Sequence, residues 1–273
     1  MPPHHILLLG GNGKVSRLLT PMLLRRAWTV TSVVRDAAQV DELKRLGDGL
    51  QGKLHVLVRS LEDVKSVEQA KGVIEEAGKG GGDGNEEGVV DYVVWSAGAG
   101  GKGGPQRTYA IDRDAAIHFI RAAVDTPSVT KFVMISFITS RLAAAPWWPA
   151  DVWPAAQQGV LSQLETYYRA KIAADQVLYE ESKKRPRDFA AVNLRPGLLT
   201  TLPEGPVQLG KTRRVSGMSS RASVARLVEL LLAQEGVRSC WLDMLDGQEE
   251  PEQAVRRCVE EGVNCIEGEP YYP

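Results

Sequence analysis

The stretch His5-Ile6-Leu7-Leu8-Leu9-Gly10-Gly11-Asn12-Gly13-Lys14-Val15-Ser16-Arg17-Leu18-Leu19 decides the fold. Its consecutive apolar residues, 6–9, suit a parallel strand covered on both faces. Leu18, Leu19, Met22 and Leu23 then recur on one face of a helix. Between the two, Gly10 and Gly13 keep Cβ atoms out of the way, so the amides that open the helix can approach an anionic pyrophosphate. The spacing is Gly-x-x-Gly-x-x-Ser. Ser16 stands where the general fingerprint has its third glycine, and is small enough for close helix–strand packing. The chain opens as an α/β protein with a dinucleotide site.

Working outward, 30–34 is a short β-branched strand that completes a βαβ unit and ends in Arg35-Asp36. At this strand end an acid accepts hydrogen bonds from a free ribose 2′-hydroxyl, whereas an arginine pairs with a 2′-phosphate. Arg35 favours NADP(H) over NAD(H), Asp36 keeps an acid within reach, and Lys14 offers a second cation. Further strands are expected at 54–58, 89–95, 131–136, 189–194 and 240–245. Helices are expected at 64–77, 109–124, 163–180, 220–232 and 251–261. Ser60 and Leu61 follow the third strand. Ala97 and Gly98 open a second small-residue cluster after Trp95, at the carboxyl edge where open α/β sheets bind ligands. The glycine run 78–88 reads as a mobile loop remote from chemistry.

At 273 residues, 25% charged and with a formal net charge of -1, the chain has room for one large core and no overall attraction to nucleic acid or anionic lipid. Three cysteines without C-x-x-C spacing argue against a disulfide framework. With no signal-peptide pattern and no apolar run that spans a bilayer, a cytoplasmic location is expected. His4-His5 reads as a solvated pair at a strand entrance, and no metal site is expected.

Trp147, Trp148 and Trp153 sit in a segment broken by Pro146, Pro149 and Pro154, which bar a regular helix there. The segment reads either as a substrate wall or lid, or as a loop anchored by buried indoles. Further on, Tyr167 and Lys171 stand at i and i+4 on one helical face. There the lysine and a cationic nicotinamide favour the anionic form of a phenol that exchanges a proton with a substrate hydroxyl or carbonyl. Ser136 lies at the end of the fifth strand.

Taken together, Gly10 to Val15, Val33-Val34-Arg35, Tyr167 to Lys171 with Ala174-Asp175, and Arg195-Pro196-Gly197-Leu198 resemble the short-chain dehydrogenase/reductase superfamily. The resemblance is to its atypical NAD(P)H-binding branch of nitrogen-repression-regulator-like and epimerase-like proteins, and it covers nearly the whole chain. It implies a Rossmann doubly wound parallel sheet with a small C-terminal lobe. The whole chain would be a single domain, with 143–165 and 200–273 on the substrate side.

It further implies that Gly10, Asn12, Gly13, Lys14 and Val15 line the pyrophosphate and that Arg35 holds the 2′-phosphate. Ser60 and Leu61 would neighbour adenine, Ala97 and Gly98 the ribose, Lys171 the nicotinamide ribose, and Pro196, Gly197 and Leu198 the carboxamide. Tyr167 would be the acid/base. The serine pattern departs, because Phe137 and Ile138 follow Ser136; Thr139 or Ser140 stands near enough to take the hydroxyl's place. The expected activity is an NADP(H)-dependent oxidoreductase acting on a partly hydrophobic small-molecule carbonyl or alcohol. The alternatives are an NADP(H)-sensing regulator without catalysis and a non-redox isomerase or cyclase using the same pocket. An oligomer is compatible with the helices.

Overall fold

The computed structural model describes residues 3–80, 88–101 and 103–273; positions 81–87 of the expected glycine loop lie outside them. The elements run β1 (His5–Leu9), α1 (Lys14–Arg25), β2 (Thr29–Val34), α2 (Val40–Lys44), β3 (Lys53–Val58), α3 (Val67–Gly78) and β4 (Tyr92–Trp95). There follow α4 (Gly104–Thr108), a π-helical turn (Tyr109–Ala115), α5 (Ala116–Val124), β5 (Lys131–Ile135) and α6 (Val152–Ser182). The chain closes with β6 (Ala190–Pro196), β7 (Leu198–Thr200), β8 (Val207–Gly210), β9 (Met218–Ser220), α7 (Arg221–Ala233), β10 (Cys240–Asp246) and α8 (Pro251–Glu260).

Eight strands form one sheet in the order β3-β2-β1-β4-β5-β6-β10-β8. All neighbours are parallel except β10 and the edge strand β8. The order reverses between β1 and β4, the switch point at which such sheets leave a crevice at their carboxyl edge. Buried residues of β1 divide by face. Leu7 and Leu9 join one core with α3, α5 and α6. Ile6 and Leu8 join the other with α1, α7 and α8. This alternation is why 6–9 are apolar at every position. The C-terminal third returns to the main sheet, since β10 pairs with β6 and α7 packs beside α1. What stands apart is small: the two-stranded β7–β9 ribbon, with Leu198 opposite Met218.

Two expectations are corrected. Helix 109–124 starts earlier and contains the π-helical turn. α6 begins at Val152 rather than at 163, because Pro154 sits in its first turns, where no backbone N–H is needed; the axis breaks instead at Leu164 (φ -134°, ψ 27°). Of the two readings of the tryptophan segment, the anchoring by buried indoles is the one found, with Trp153 in the first turn of α6. Trp148 stacks on Trp153 at 6.0 Å, and its indole N–H donates to Thr212 O at 2.9 Å. The cluster ties 144–156 to Val215 and Leu245.

His4 and His5 are half-buried rather than solvated. His4 packs edge-on against Trp28, and His5 Nε2 lies 2.8 Å from Thr31 Oγ1. The three cysteines are free, and burial pushes the Cys240 thiol up to about 12 and Cys258 to about 11. Among the described residues no helix is long and apolar enough to cross a membrane.

Candidate functional site

The turn after β1 closes on itself. Gly13 N–H and the Ser16 hydroxyl both donate to Gly10 O at 2.9 Å, which accounts for a serine in place of a third glycine. Gly10 has φ +85°, and a Cβ there would lie 2.6 Å from Ala97 Cα. The turn therefore abuts the loop after β4 with nothing to spare. Gly13 caps α1 without a side chain, and the first turn of α1 carries no acid. Its orphan amides face out with their partial positive charge uncompensated by any capping group. A backbone cradle that a Cβ would fill, below an uncapped helix start, fits the pyrophosphate of a dinucleotide.

At this junction lies a cavity of about 390 Å³. Gly10, Asn12, Gly13, Lys14, Arg35, Ser60, Leu61, Ala97 and Gly98, all singled out from the sequence, line it. Val15 does not; it is buried in the core below. Asn12 is pinned by Arg17, whose guanidinium donates to Asn12 Oδ1 at 2.9 Å and to Glu42 at 2.6 Å. Asp36 turns away from the strand end. Its Oδ1 accepts the Ala38 N–H at 2.9 Å and caps the turn that follows.

The wall made by 96–99 is held from behind by Asp112, a residue that sequence reasoning missed. Asp112 Oδ2 accepts the Ala99 N–H at 2.9 Å, and a Cβ on Gly98 would meet Oδ1 at 2.8 Å. Asp112 comes from the π-helical turn, whose extra residue has no signature in apolar periodicity. Burial raises its carboxyl above the ordinary value, partly offset by Lys171, by the Ala99 amide and by Arg107. Lys171 is 1% exposed and donates to Ile135 O at 3.1 Å. Asp112 therefore joins the cavity wall to the Tyr167–Lys171 face of α6.

Tyr167 is half-buried, its ring 5.1 Å from that of Phe137. Lys171 alone does not bring the Tyr167 phenol down. Burial, then the carboxylates of Asp112 and Asp175, push the phenol well above its ordinary value. Its neighbour Tyr168 is structural, buried and donating to Arg141 O at 2.5 Å.

Ser136 is not free for a ligand, since its hydroxyl donates to Asp175 Oδ2 at 2.6 Å, and Ser140 donates to the same oxygen at 2.7 Å. Thr139, between them, is 6% exposed and makes no side-chain hydrogen bond among the described residues.

The backbone of the Pro-Gly turn is also largely committed. Pro196 O accepts from Ile138 N–H at 2.9 Å, Gly197 N–H donates to Met244 O at 3.0 Å, and Leu198 N–H donates to Gly217 O at 2.8 Å. The expected carboxamide contact therefore has neither the Gly197 nor the Leu198 amide to use. Below the turn, Arg195 and Asp243 form a fully buried ion pair at 2.5 Å.

A family model described as NAD(P)H-binding matches residues 10–235. The chain belongs to the NAD(P)H-binding family. Among its relatives, a UPF0659 protein of Schizosaccharomyces pombe is 31% identical over 260 residues, covering 93% of this chain and 95% of that one. An uncharacterized sugar epimerase of Bacillus subtilis is 25% identical over 254 residues, covering 92% and 99%. In fold, the chain is similar to a putative NAD-dependent epimerase/dehydratase from Bacillus halodurans, with TM-score 0.70 and 23% identity over 93% of this chain and 99% of that one. The expected NAD(P)H-binding family and the Rossmann architecture both stand.

Proposed function

We propose that this member of the NAD(P)H-binding family is an NADP(H)-dependent oxidoreductase acting on a partly hydrophobic carbonyl or alcohol. The observation that carries the cofactor choice is the strand end of β2. Arg35 lines the cavity there, while the neighbouring acid Asp36 turns its Oδ1 to the Ala38 N–H. A guanidinium at that place suits a 2′-phosphate.

In this reading Gly10, Gly13 and the first amides of α1 hold the pyrophosphate, and Lys171 holds the nicotinamide ribose from its buried position. When bound, the nicotinamide supplies or accepts the hydride. Tyr167 donates the proton to the substrate oxygen; a phenol held high in pKa is fully protonated near neutrality and so suited to the reductive direction. Thr139 takes the carbonyl oxygen, because Ser136 and Ser140 already give their hydrogens to Asp175. Apolar character of the substrate is supported by Leu198, Met218 and Leu202, which remain 75%, 54% and 54% exposed beside the Pro-Gly turn.

The two engaged serines also favour a second reading, a regulator that binds NADP(H) without turnover. One experiment addresses both. Calorimetric titration with NADPH, NADP+, NADH and NAD+, on the wild type and Arg35→Ala, is followed by a screen of apolar ketones and aldehydes for NADPH consumption. Tighter binding of NADPH than NADH, lost in Arg35→Ala, supports the cofactor assignment. Turnover that Tyr167→Phe abolishes supports the enzyme. Binding with no turnover of any carbonyl supports the regulator, and no binding of any nucleotide removes both.

A further inference from the structure

We propose that Arg59 is a second guanidinium of the 2′-phosphate site and sets the preference for NADP(H) together with Arg35; this rests on the cofactor reading above. Arg35 and Arg59 each stand one residue beyond paired strands, whose last register partners are Val34 and Val58. The Arg59 N–H donates to Val34 O at 2.7 Å, so the ladder continues to the point where the two side chains leave it. Adjacent parallel strands run about 4.8 Å apart, which puts two like charges side by side at one sheet edge. Both residues line the cavity.

Two adjacent cations are unfavourable unless an anion lies between or beside them. Arg59 has found one: its NH2 group donates to both carboxylate oxygens of Glu76, at 3.0 Å each, and NH1 donates to Val58 O at 3.3 Å. Arg35 has no side-chain hydrogen bond or ion pair among the described residues. Of the other cations lining the cavity, Arg107 is taken by Glu62 at 2.6 Å. Glu76 is not a lining residue and grips Arg59 through one nitrogen, leaving the Nε–H and part of NH1 for a further oxygen acceptor. A doubly charged phosphate with three oxygens matches a pair of guanidinia better than a hydroxyl does.

The test is titration of NADPH and NADH against the wild type, Arg59→Ala, Arg35→Ala and Glu76→Ala. Arg59→Ala is expected to weaken NADPH about tenfold or more, the scale of a lost charge-assisted hydrogen bond, with NADH changed by less than about twofold. Glu76→Ala breaks the same ion pair but keeps the guanidinium, and is expected to leave NADPH binding intact or tighter. If Arg59→Ala leaves the NADPH-to-NADH ratio unchanged while Arg35→Ala collapses it, the inference fails and the cofactor reading stands. Equal losses of NADPH affinity in Arg59→Ala and Glu76→Ala also overturn the inference, since the pair then acts only as structure. A wild type that binds NADH as tightly as NADPH removes the reading on which the inference rests.

Discussion

Ser136 donates its hydroxyl to Asp175 Oδ2 across 2.6 Å, with both residues buried, so the serine at the end of the fifth strand faces a carboxylate instead of a ligand. Ser140 adds a second donor to the same oxygen, while Asp175 Oδ1 has no partner. This arrangement satisfies a buried carboxyl by hydrogen bonding rather than by a direct counterion. It also separates two roles that one serine often combines in a reductase, anchoring the loop and presenting a hydroxyl to substrate.

That separation makes a prediction about three hydroxyls. Ser136→Ala takes one of two donors from a buried carboxylate and is expected to cost about 1–3 kcal/mol of stability, with turnover of an apolar carbonyl largely retained. Thr139→Ala is expected to do the reverse, with a small change in urea midpoint and a loss of kcat/KM of about a hundredfold, in the range for removal of one oxyanion donor. A Ser136→Ala protein that is stable but inactive would return the catalytic hydroxyl to Ser136.

The glycine turn, the first five strands and nine of the nineteen residues that line the cavity were legible because they depend on local chemistry. Gly10 and Gly13 are required by backbone approach, and 6–9 by two-sided burial. Ser60 and Leu61 were found by counting from a strand end, and the same count would have found Arg59 one position earlier. The commitments of Ser136 and Asp36 were not legible, because each depends on a partner's precise direction: Asp175 lies 39 positions away, and the Ala38 amide is oriented only once a turn forms. Asp112 was hidden by the π-helical turn, which shifts register within an otherwise helical pattern. The short strands β7, β8 and β9 have three or four residues and too few apolar alternations to register.

Asp112 and Tyr167 give a prediction in pH. Burial raises the Asp112 carboxyl, so between its unfolded value, about 4, and its raised folded value the native state binds more protons than the unfolded one. Stability on this account falls as pH rises through that window and stays lower above it. Asp112→Asn keeps an acceptor for the Ala99 amide without the charge. Its urea midpoint relative to wild type is expected to improve progressively above about pH 4 and to level off once the raised folded value is passed. A difference independent of pH would place the effect in packing.

Because the carboxylate also holds the Tyr167 phenol up, the same substitution is expected to bring phenolate absorbance in at lower pH, a shift that Tyr167→Phe removes. For wild type, the raised phenol means that reductive turnover is not lost to tyrosine ionisation anywhere between pH 6 and 9, whereas oxidation, which needs the phenolate, rises with pH across that range. A reductive rate that falls between pH 6 and 9 would contradict the raised phenol and not the role of Tyr167 as proton donor.

Arg195 and Asp243 carry the last prediction. The two are register partners on β6 and β10, both 0% exposed, and the guanidinium also donates to Ser140 O at 3.2 Å and lies 4.6 Å from the Trp241 ring centroid. Breaking a buried pair from one side leaves an uncompensated charge, whereas replacing both partners with apolar residues removes the desolvation cost along with the attraction. Arg195→Met alone is expected to cost about 3–5 kcal/mol. Arg195→Met with Asp243→Leu is expected to recover most of that loss in a double-mutant cycle followed by urea unfolding. Recovery of stability with lost nucleotide affinity would show that the pair positions the Pro196–Gly197 turn. If the two losses simply add, the carboxylate and guanidinium are held by separate partners, and Cys265 O and Ser140 O rather than Asp243 are what keep Arg195 in the core.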